Sequence, residues 1–176
     1  KSIAGIRALL KVGGKQARNI VASDLGFAIG PRLNAAGRLD DMSTGIECLL
    51  TDNDALADQY AEELNNLNEE RKNIEREMQQ QALIWLQSQA NTFAKVDGDT
   101  NDFPWGLCIY DADWHQGVIG ILASRIKDKM HRPVIAFANA ELAADLNAEE
   151  AREQQEIKGS ARSIPGLHIR DALDLI

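Results

Sequence analysis

Ile3, Ile6, Leu9 and Leu10 recur on one side of a 3.6-residue repeat, so residues 2–11 predict a short amphipathic helix ended by Gly13-Gly14. A second short helix is expected from Gln16 to Val21. Ser23 or Asp24 then suits the N-cap of a further turn, Leu25–Ile29. Residues Thr44 to Leu50 carry Ile46, Leu49 and Leu50 at helical spacing. Thr51-Asp52-Asn53-Asp54 is a capping cluster, and the segment after it predicts the longest helix, about 54–90. Tyr60, Leu64, Leu67, Ile74, Met78 and Trp85 mark a seam near heptad spacing, interrupted by Arg71 and Gln81. A narrow stripe on a polar rod suits a helix connecting two domains; a dimeric coiled coil is the alternative.

The pattern changes in the second half. Residues 91–104, with Asp97-Gly98-Asp99 and Pro104, predict an exposed, turn-rich connection. Trp105–Tyr110 reads as a buried strand. Gly117–Met130 reads as a helix with Val118, Ile119, Leu122, Ile126 and Met130 inward, and Pro133–Phe137 as the next strand. A strand, helix and strand within so short a span imply a parallel crossover. The acidic segment 139–156 is expected to be an exposed loop or a solvated helix. Ile157–Ser163 resumes as a strand, and Leu167–Ile176 starts an amphipathic helix. The fold class is therefore α/β: a helical N-terminal part, a long connecting helix, then a partial strand–helix–strand domain with a mixed or parallel sheet.

Composition narrows the reading. The 176 residues suffice for one domain or parts of two, and a start at Lys1 with an end inside an apolar helix reads as a piece of a longer protein. No apolar run is long enough to span a bilayer and no secretory signal is present, which fits a cytoplasmic protein. Cys48 and Cys108 read as buried reduced thiols, and His115, His131 and His168 lack ligand spacing. The net charge of −8 counts against a generally basic nucleic-acid binder. The distribution matters more than the sum. Acid concentrates in 52–77 and 141–156, whereas Arg32 with Arg38, and Lys158 with Arg162, make locally basic stretches. An acidic exterior around a basic cleft would reject a duplex and admit a strand end.

Three stretches carry chemistry. In Gly30-Pro31-Arg32-Leu33-Asn34-Ala35-Ala36-Gly37-Arg38-Leu39-Asp40-Asp41, Pro31 and Gly37 bracket a backbone expected to break from helix. A bent loop bearing two forked cations suits phosphate. The competing reading is a helix–helix corner with its arginines paired to Asp40 and Asp41. In the second stretch, Asp111-x-Asp113-x-His115 offers oxygen and nitrogen donors for a divalent cation. A turn cap beside a structural histidine is the preferred reading there. His115-x-Gly117-Val118-x-Gly120 follows at a strand-to-helix junction, either to face an anion at the helix N-terminus or to let helix and sheet pack closely. In the third, Lys158-Gly159-Ser160-Ala161-Arg162-Ser163, strand alternation puts Ser160 and Arg162 on one face. That is a cradle for a terminal phosphate, or else a solvated edge strand.

In this order and spacing the three stretches resemble the RecJ exonucleases of bacteria, single-strand-specific 5′→3′ DNA exonucleases of the DHH phosphoesterase superfamily. The resemblance implies that Arg38, Ser160 and Arg162 grip a 5′-phosphate. It also implies that Arg32 and Asn34 line the strand's path, with His115, Lys158 and Gly159 near phosphate. It implies manganese or magnesium in the intact enzyme, in DNA repair and recombination. Neither the Asp-His-His motif nor the later Gly-Gly-His motif occurs here, so no metal is expected on this piece. The implied division is 1–51 for the end of the DHH domain, 52–91 for the connecting helix and 92–176 for the start of the DHH-associated domain. Single-stranded DNA is the implied partner, with a single-strand-binding protein and a helicase in the pathway and a monomeric enzyme. The rivals are another DHH phosphoesterase acting on short oligonucleotides or cyclic dinucleotides, a partner-binding module using the seam of 60–85, and a metal hydrolase at Asp111, Asp113 and His115. The nine aromatic residues (three Trp, two Tyr, four Phe) are mostly expected inside, which leaves little for base stacking.

Overall fold

A computed structural model describes residues 3–93, 104–140 and 156–175. Most of the expected turn-rich connection and of the acidic excursion lies outside those residues. The chain forms two compact units, Lys1–Asn73 and Ile74–Ile176, divided inside one long helix.

The first unit is helical. It contains α1 (Ala4–Val12), a 3-10 turn (Ala17–Asn19), α2 (Ala22–Asp24), a π turn (Leu25–Ile29), α3 (Gly30–Leu39), α4 (Ser43–Leu50) and the beginning of α5 (Asp54–Phe93). Its core is built from Ala8, Leu9, Leu10, Ile29, Ala36, Cys48, Ala61 and Leu64. Alanine is frequent there because the helices approach closely. At Gly5, any β-carbon would collide with the Cys48 carbonyl, so α1 and α4 meet backbone to backbone. Burial pushes the Cys48 thiol up from its ordinary value. The opening of α5 is capped as expected: Asn53 Oδ1 accepts the N–H groups of Ala55 and Leu56 at 2.9 and 3.3 Å.

Several local expectations are corrected. Gly30–Arg38 is not a bent loop but the body of α3, continuous with the helical turns before it. Proline inside an α-helix removes a donor and crowds the carbonyl four residues back. Here the turn before Pro31 widens to π geometry, with the Gly30 N–H reaching Leu25 O, and the ring fits at the start of α3. Gly37 simply continues the helix. The turn predicted to start after Ser23 or Asp24 begins earlier, at Ala22. Asp24 instead accepts the Val21 N–H at 3.1 Å and an ion pair from Lys15 at 2.8 Å. That ammonium and that N–H hold the Asp24 carboxyl below the usual aspartate range. In α1, Ala4 and Ala8 lie inside with Leu9 and Leu10, while Ile3 precedes the helix and is exposed.

Along α5 the buried line in the first unit is Ala57, Ala61, Leu64 and Asn68; in the second it is Met78, Ala82 and Leu86. Trp85 was expected in the seam and is exposed, because a straight helix drifts from a seven-residue repeat and carries Leu86 inward instead.

In the second unit, β1 (Leu107–Tyr110), β2 (Val134–Asn139) and β3 (Ile157–Arg162) form a sheet in the order β1-β2-β3. β1 and β2 are parallel, joined by α6 (Ile119–Met130), and β3 runs antiparallel to β2. The sheet is thus mixed. Leu107, Ile109, Val134, Ala136 and Ala138 are buried with Val118, Leu122 and Ile126 between sheet and helix. A last short helix, α7 (Ile169–Leu173), starts where Ser163 Oγ accepts the Ile169 N–H at 3.0 Å. Cys108, expected inside, lies on the open side of β1.

Candidate nucleic-acid interface

Register decides which side chains of β3 meet α6. Ser160 pairs with Ala136 and Arg162 with Val134, both buried toward the helix, so Ser160 and Arg162 share that face. They converge over Gly120 in the first turn of α6. A β-carbon there would lie 2.8 Å from Arg162 Nη2 and 2.9 Å from Ser160 Oγ. Gly120 is therefore required by a close approach. Arg162 Nη1 donates to Ser160 Oγ at 3.1 Å and to Ala161 O at 2.7 Å, which fixes the guanidinium plane. A hydroxyl, an oriented guanidinium and the N-terminal turn of a helix thus meet at one partly open spot. Each favours an anion, and together they form a cradle with the chemistry an anion needs.

The approach to α6 is built by Trp114 and His115. Trp114 is buried and its indole N–H donates to Gln81 Oε1 at 2.9 Å. This explains why a glutamine interrupts the apolar seam of α5, a role the sequence pattern alone misses. Arg125 is bound at the helix edge by Glu75, Nε to Oε1 at 2.9 Å. His115 Nδ1 accepts the Gly117 N–H at 3.0 Å, so its neutral ring carries the proton on Nε2. Asp111 Oδ1 accepts the Asp113 N–H at 2.9 Å, which makes Asp111 the turn cap. With Asp111 and His115 Nδ1 committed to local backbone, this trio does not fit a divalent cation. Among the described residues no three His, Cys, Asp or Glu side chains converge on a metal position. No hydrolytic step is therefore assigned to these residues.

The remaining candidates divide. Lys158 is exposed on the same strand face as Ser160 and Arg162. Gly159 points the other way and lies against the Phe137 ring: a β-carbon would stand 2.6 Å from Cε1. Its role is to admit that aromatic from β2, not to border the cradle. In the first unit, Asn34 and Arg38 are one helical turn apart on the exposed face of α3, opposite buried Ala35 and Ala36. Arg32 is turned inward. Its Nε donates to Asn65 Oδ1 at 3.0 Å, Nη1 to Ala28 O at 2.6 Å and Nη2 to Val12 O at 3.3 Å. That fork joins α1, the π turn and α5, and sets which face α3 presents. Neither Asp41 oxygen is left to serve an arginine corner alone, since Ser43 donates to both through Oγ at 2.6 Å and N–H at 3.2 Å.

Residues 105–176, which contain β1 through the last helix, match the DHHA1 domain family. Over 170 residues the chain is 51% identical to the single-stranded-DNA-specific exonuclease RecJ of Salmonella typhimurium, covering 97% of this chain and 26% of that protein. Over nearly its whole length the chain is therefore similar to a segment of RecJ exonucleases. It spans about a quarter of the length of that RecJ relative. The fold agrees as well. RecJ of Thermus thermophilus in complex with Mn2+ superimposes with a TM-score of 0.61 at 28% identity, over 93% of this chain and 25% of that one. Its Mg2+ complex gives 0.59 at 27% identity, over 93% and 26%. The divalent metal belongs to those neighbours. Among the described residues no helix of the chain is long and apolar enough to cross a membrane.

Proposed function

We propose that this chain is the strand-gripping part of a single-stranded-DNA-specific 5′→3′ exonuclease that hydrolyses phosphodiester bonds by two-metal catalysis in DNA repair and recombination. In this reading residues 1–51 close the DHH domain, 52–91 connect, and 92–176 begin the DHH-associated domain. The metals, manganese or magnesium, are held elsewhere in the enzyme. Ser160 and Arg162 receive the 5′-phosphate, while Asn34, Arg38 and Lys158 border the strand and His115 Nε2 donates to a phosphate oxygen. Arg32 and Gly159 drop out of the contact set, because one holds helices together and the other admits Phe137. The enzyme works as a cytoplasmic monomer, on strands that a helicase exposes and a single-strand-binding protein covers.

The observation that carries this reading is the cradle over Gly120. A hydroxyl and a guanidinium held by each other at a helix N-terminus suit a terminal phosphate dianion better than the single negative charge of an internal phosphodiester. The test is a fluorescence-anisotropy titration of a labelled single-stranded oligonucleotide by this chain, at low salt without metal. Tighter binding of the 5′-phosphate form than of the 5′-hydroxyl form is expected. Equal binding of both forms contradicts the assignment.

A further inference from the structure

Expecting the aromatic residues inside is wrong for four of them: Phe27, Trp85, Trp105 and Tyr110 are exposed. It is right for Trp114, and that ring has a task besides filling the core. An indole N–H can only donate, and without an acceptor in a buried place it is costly. Gln81 of α5 presents Oε1 to it at 2.9 Å, beside buried Ala82 and one turn from buried Met78. All of these residues belong to the second unit. Trp114 lies in the connection 111–118 between β1 and α6. Before it, Asp111 Oδ1 caps the opening turn, and the Trp114 N–H points to Asp111 O at 3.4 Å. After it, His115 O accepts the Val118 N–H at 3.0 Å, and His115 Nδ1 accepts the Gly117 N–H at 3.0 Å. The indole thus ties to α5 a connection whose two turns are otherwise closed by local backbone. Further along the chain, Glu75 of α5 holds Arg125 of α6, Nε to Oε1 at 2.9 Å. In sequence the two ties from α5 flank Gly120, over which Ser160 and Arg162 converge.

We propose that Gln81 is a positioning residue: through Trp114 it holds the His115 ring with Nδ1 on the Gly117 N–H, which leaves Nε2 as the donor to phosphate. The peptide between residues 114 and 115 is planar, so an indole fixed by both its buried ring and its N–H leaves few dihedrals by which residue 115 can turn. The hydrogen bond at one imidazole nitrogen decides which nitrogen carries the proton. Without the Gln81 oxygen, the indole N–H turns to other acceptors, the connection shifts with it, and the Gly117 bond that selects the tautomer loosens. The proposal rests on the strand-binding reading above for the phosphate, and adds to it a residue that acts without touching the strand.

The experiment uses the full chain. Nitrogen-15 NMR of the His115 ring at about pH 8, above the ordinary histidine range, reads the tautomer directly, with the signals assigned by their loss in His115→Ala. The wild type is expected to show an unprotonated Nδ1 and a protonated Nε2. In Gln81→Leu the two signals move toward each other as the second tautomer is populated. Gln81→Glu keeps an oxygen for the indole and retains the wild-type pattern. Trp114→Phe loses the pattern as Gln81→Leu does, and adding Gln81→Leu to it changes nothing further. A hydrogen bond that served stability alone would leave the tautomer of the folded protein unchanged. Affinity for a 5′-phosphorylated single-stranded oligonucleotide is the second readout. Gln81→Leu is expected to weaken it about three- to tenfold, no more than His115→Ala does, and to cost nothing further in the His115→Ala background. The positioning role is overturned if the His115 signals of Gln81→Leu match the wild type, or if Gln81→Leu weakens binding equally with and without His115. A wild type that binds no single strand removes the strand-binding reading, while the ring signals still decide whether Gln81 sets His115.

Discussion

The two cation-bearing sites are built on opposite principles. In the second unit, Arg162 is held by Ser160 and by a backbone carbonyl over a glycine, so its geometry is set before any ligand arrives. In the first unit, Arg38 stands on the exposed face of α3, and its neighbour Arg32 is spent on internal acceptors. A preorganised group loses little side-chain entropy on binding. The cradle is therefore suited to discriminate a terminal phosphate, and the α3 face to supply affinity along the strand.

Substitutions that exchange these properties break or sharpen the contrast, and the largest effect is expected from Gly120→Val. Its side chain occupies the place of Arg162 Nη2 and Ser160 Oγ, and the preference for 5′-phosphate over 5′-hydroxyl oligonucleotides should vanish in competition binding. Arg38→Ala should instead weaken both oligonucleotides by a similar factor and reduce the salt dependence of binding by about one counterion. If Arg38→Ala abolishes the preference and Gly120→Val does not, the roles of the two sites are reversed.

Arg32→Met comes next. It removes three internal hydrogen bonds, and a loss of roughly 2–3 kcal/mol of stability is expected by urea denaturation, with weaker strand binding as a consequence. An unchanged denaturation midpoint together with lost binding would return Arg32 to the strand contacts. Gln81→Leu should cost about 1–2 kcal/mol by leaving the buried Trp114 indole N–H without its acceptor; Trp114→Phe in that background should recover part of it.

The smallest effect concerns acid. Asp24 is held ionised in the folded state by Lys15 and the Val21 N–H, so it binds a proton less readily folded than unfolded. Its contribution to stability is fully present above the ordinary aspartate range near pH 4 and is lost as pH falls through its lower folded value. Acid titrations followed by circular dichroism should show Asp24→Asn with a flatter stability profile below about pH 4 than the wild type. Identical slopes would remove the ion pair from the account.

How far the residues reveal these sites depends on the local geometry. Alternation along a strand leaves Ser160 and Arg162 only one shared face, so their meeting is legible directly in Lys158–Ser163. The strand–helix–strand order and the cap at Asn53 are legible for similar reasons. A proline in a helical stretch is different, because it can end the helix or be absorbed by a wider turn, and Gly30–Arg38 carries no local sign of which occurs. That ambiguity hid both the continuous α3 and the exposure of Phe27 before it. Nor does the sequence separate Arg32 from Arg38, since their fates depend on the carbonyls of Val12 and Ala28 and on Asn65, which only the packed helices bring within reach. Gly159 and Gly120 look alike in the chain, yet one makes room for a ring and the other for the cradle.

The central claim is that the cradle itself recognises the terminal phosphate, and a thermodynamic cycle tests it most directly. Binding of 5′-phosphate and 5′-hydroxyl oligonucleotides would be measured for the wild type and for Arg162→Ala at one fixed salt concentration. The account predicts a coupling of about 1.5–3 kcal/mol between the guanidinium and the phosphate, the range for hydrogen bonds to charged groups. A coupling near zero, with Arg162→Ala weakening both oligonucleotides equally, would contradict it.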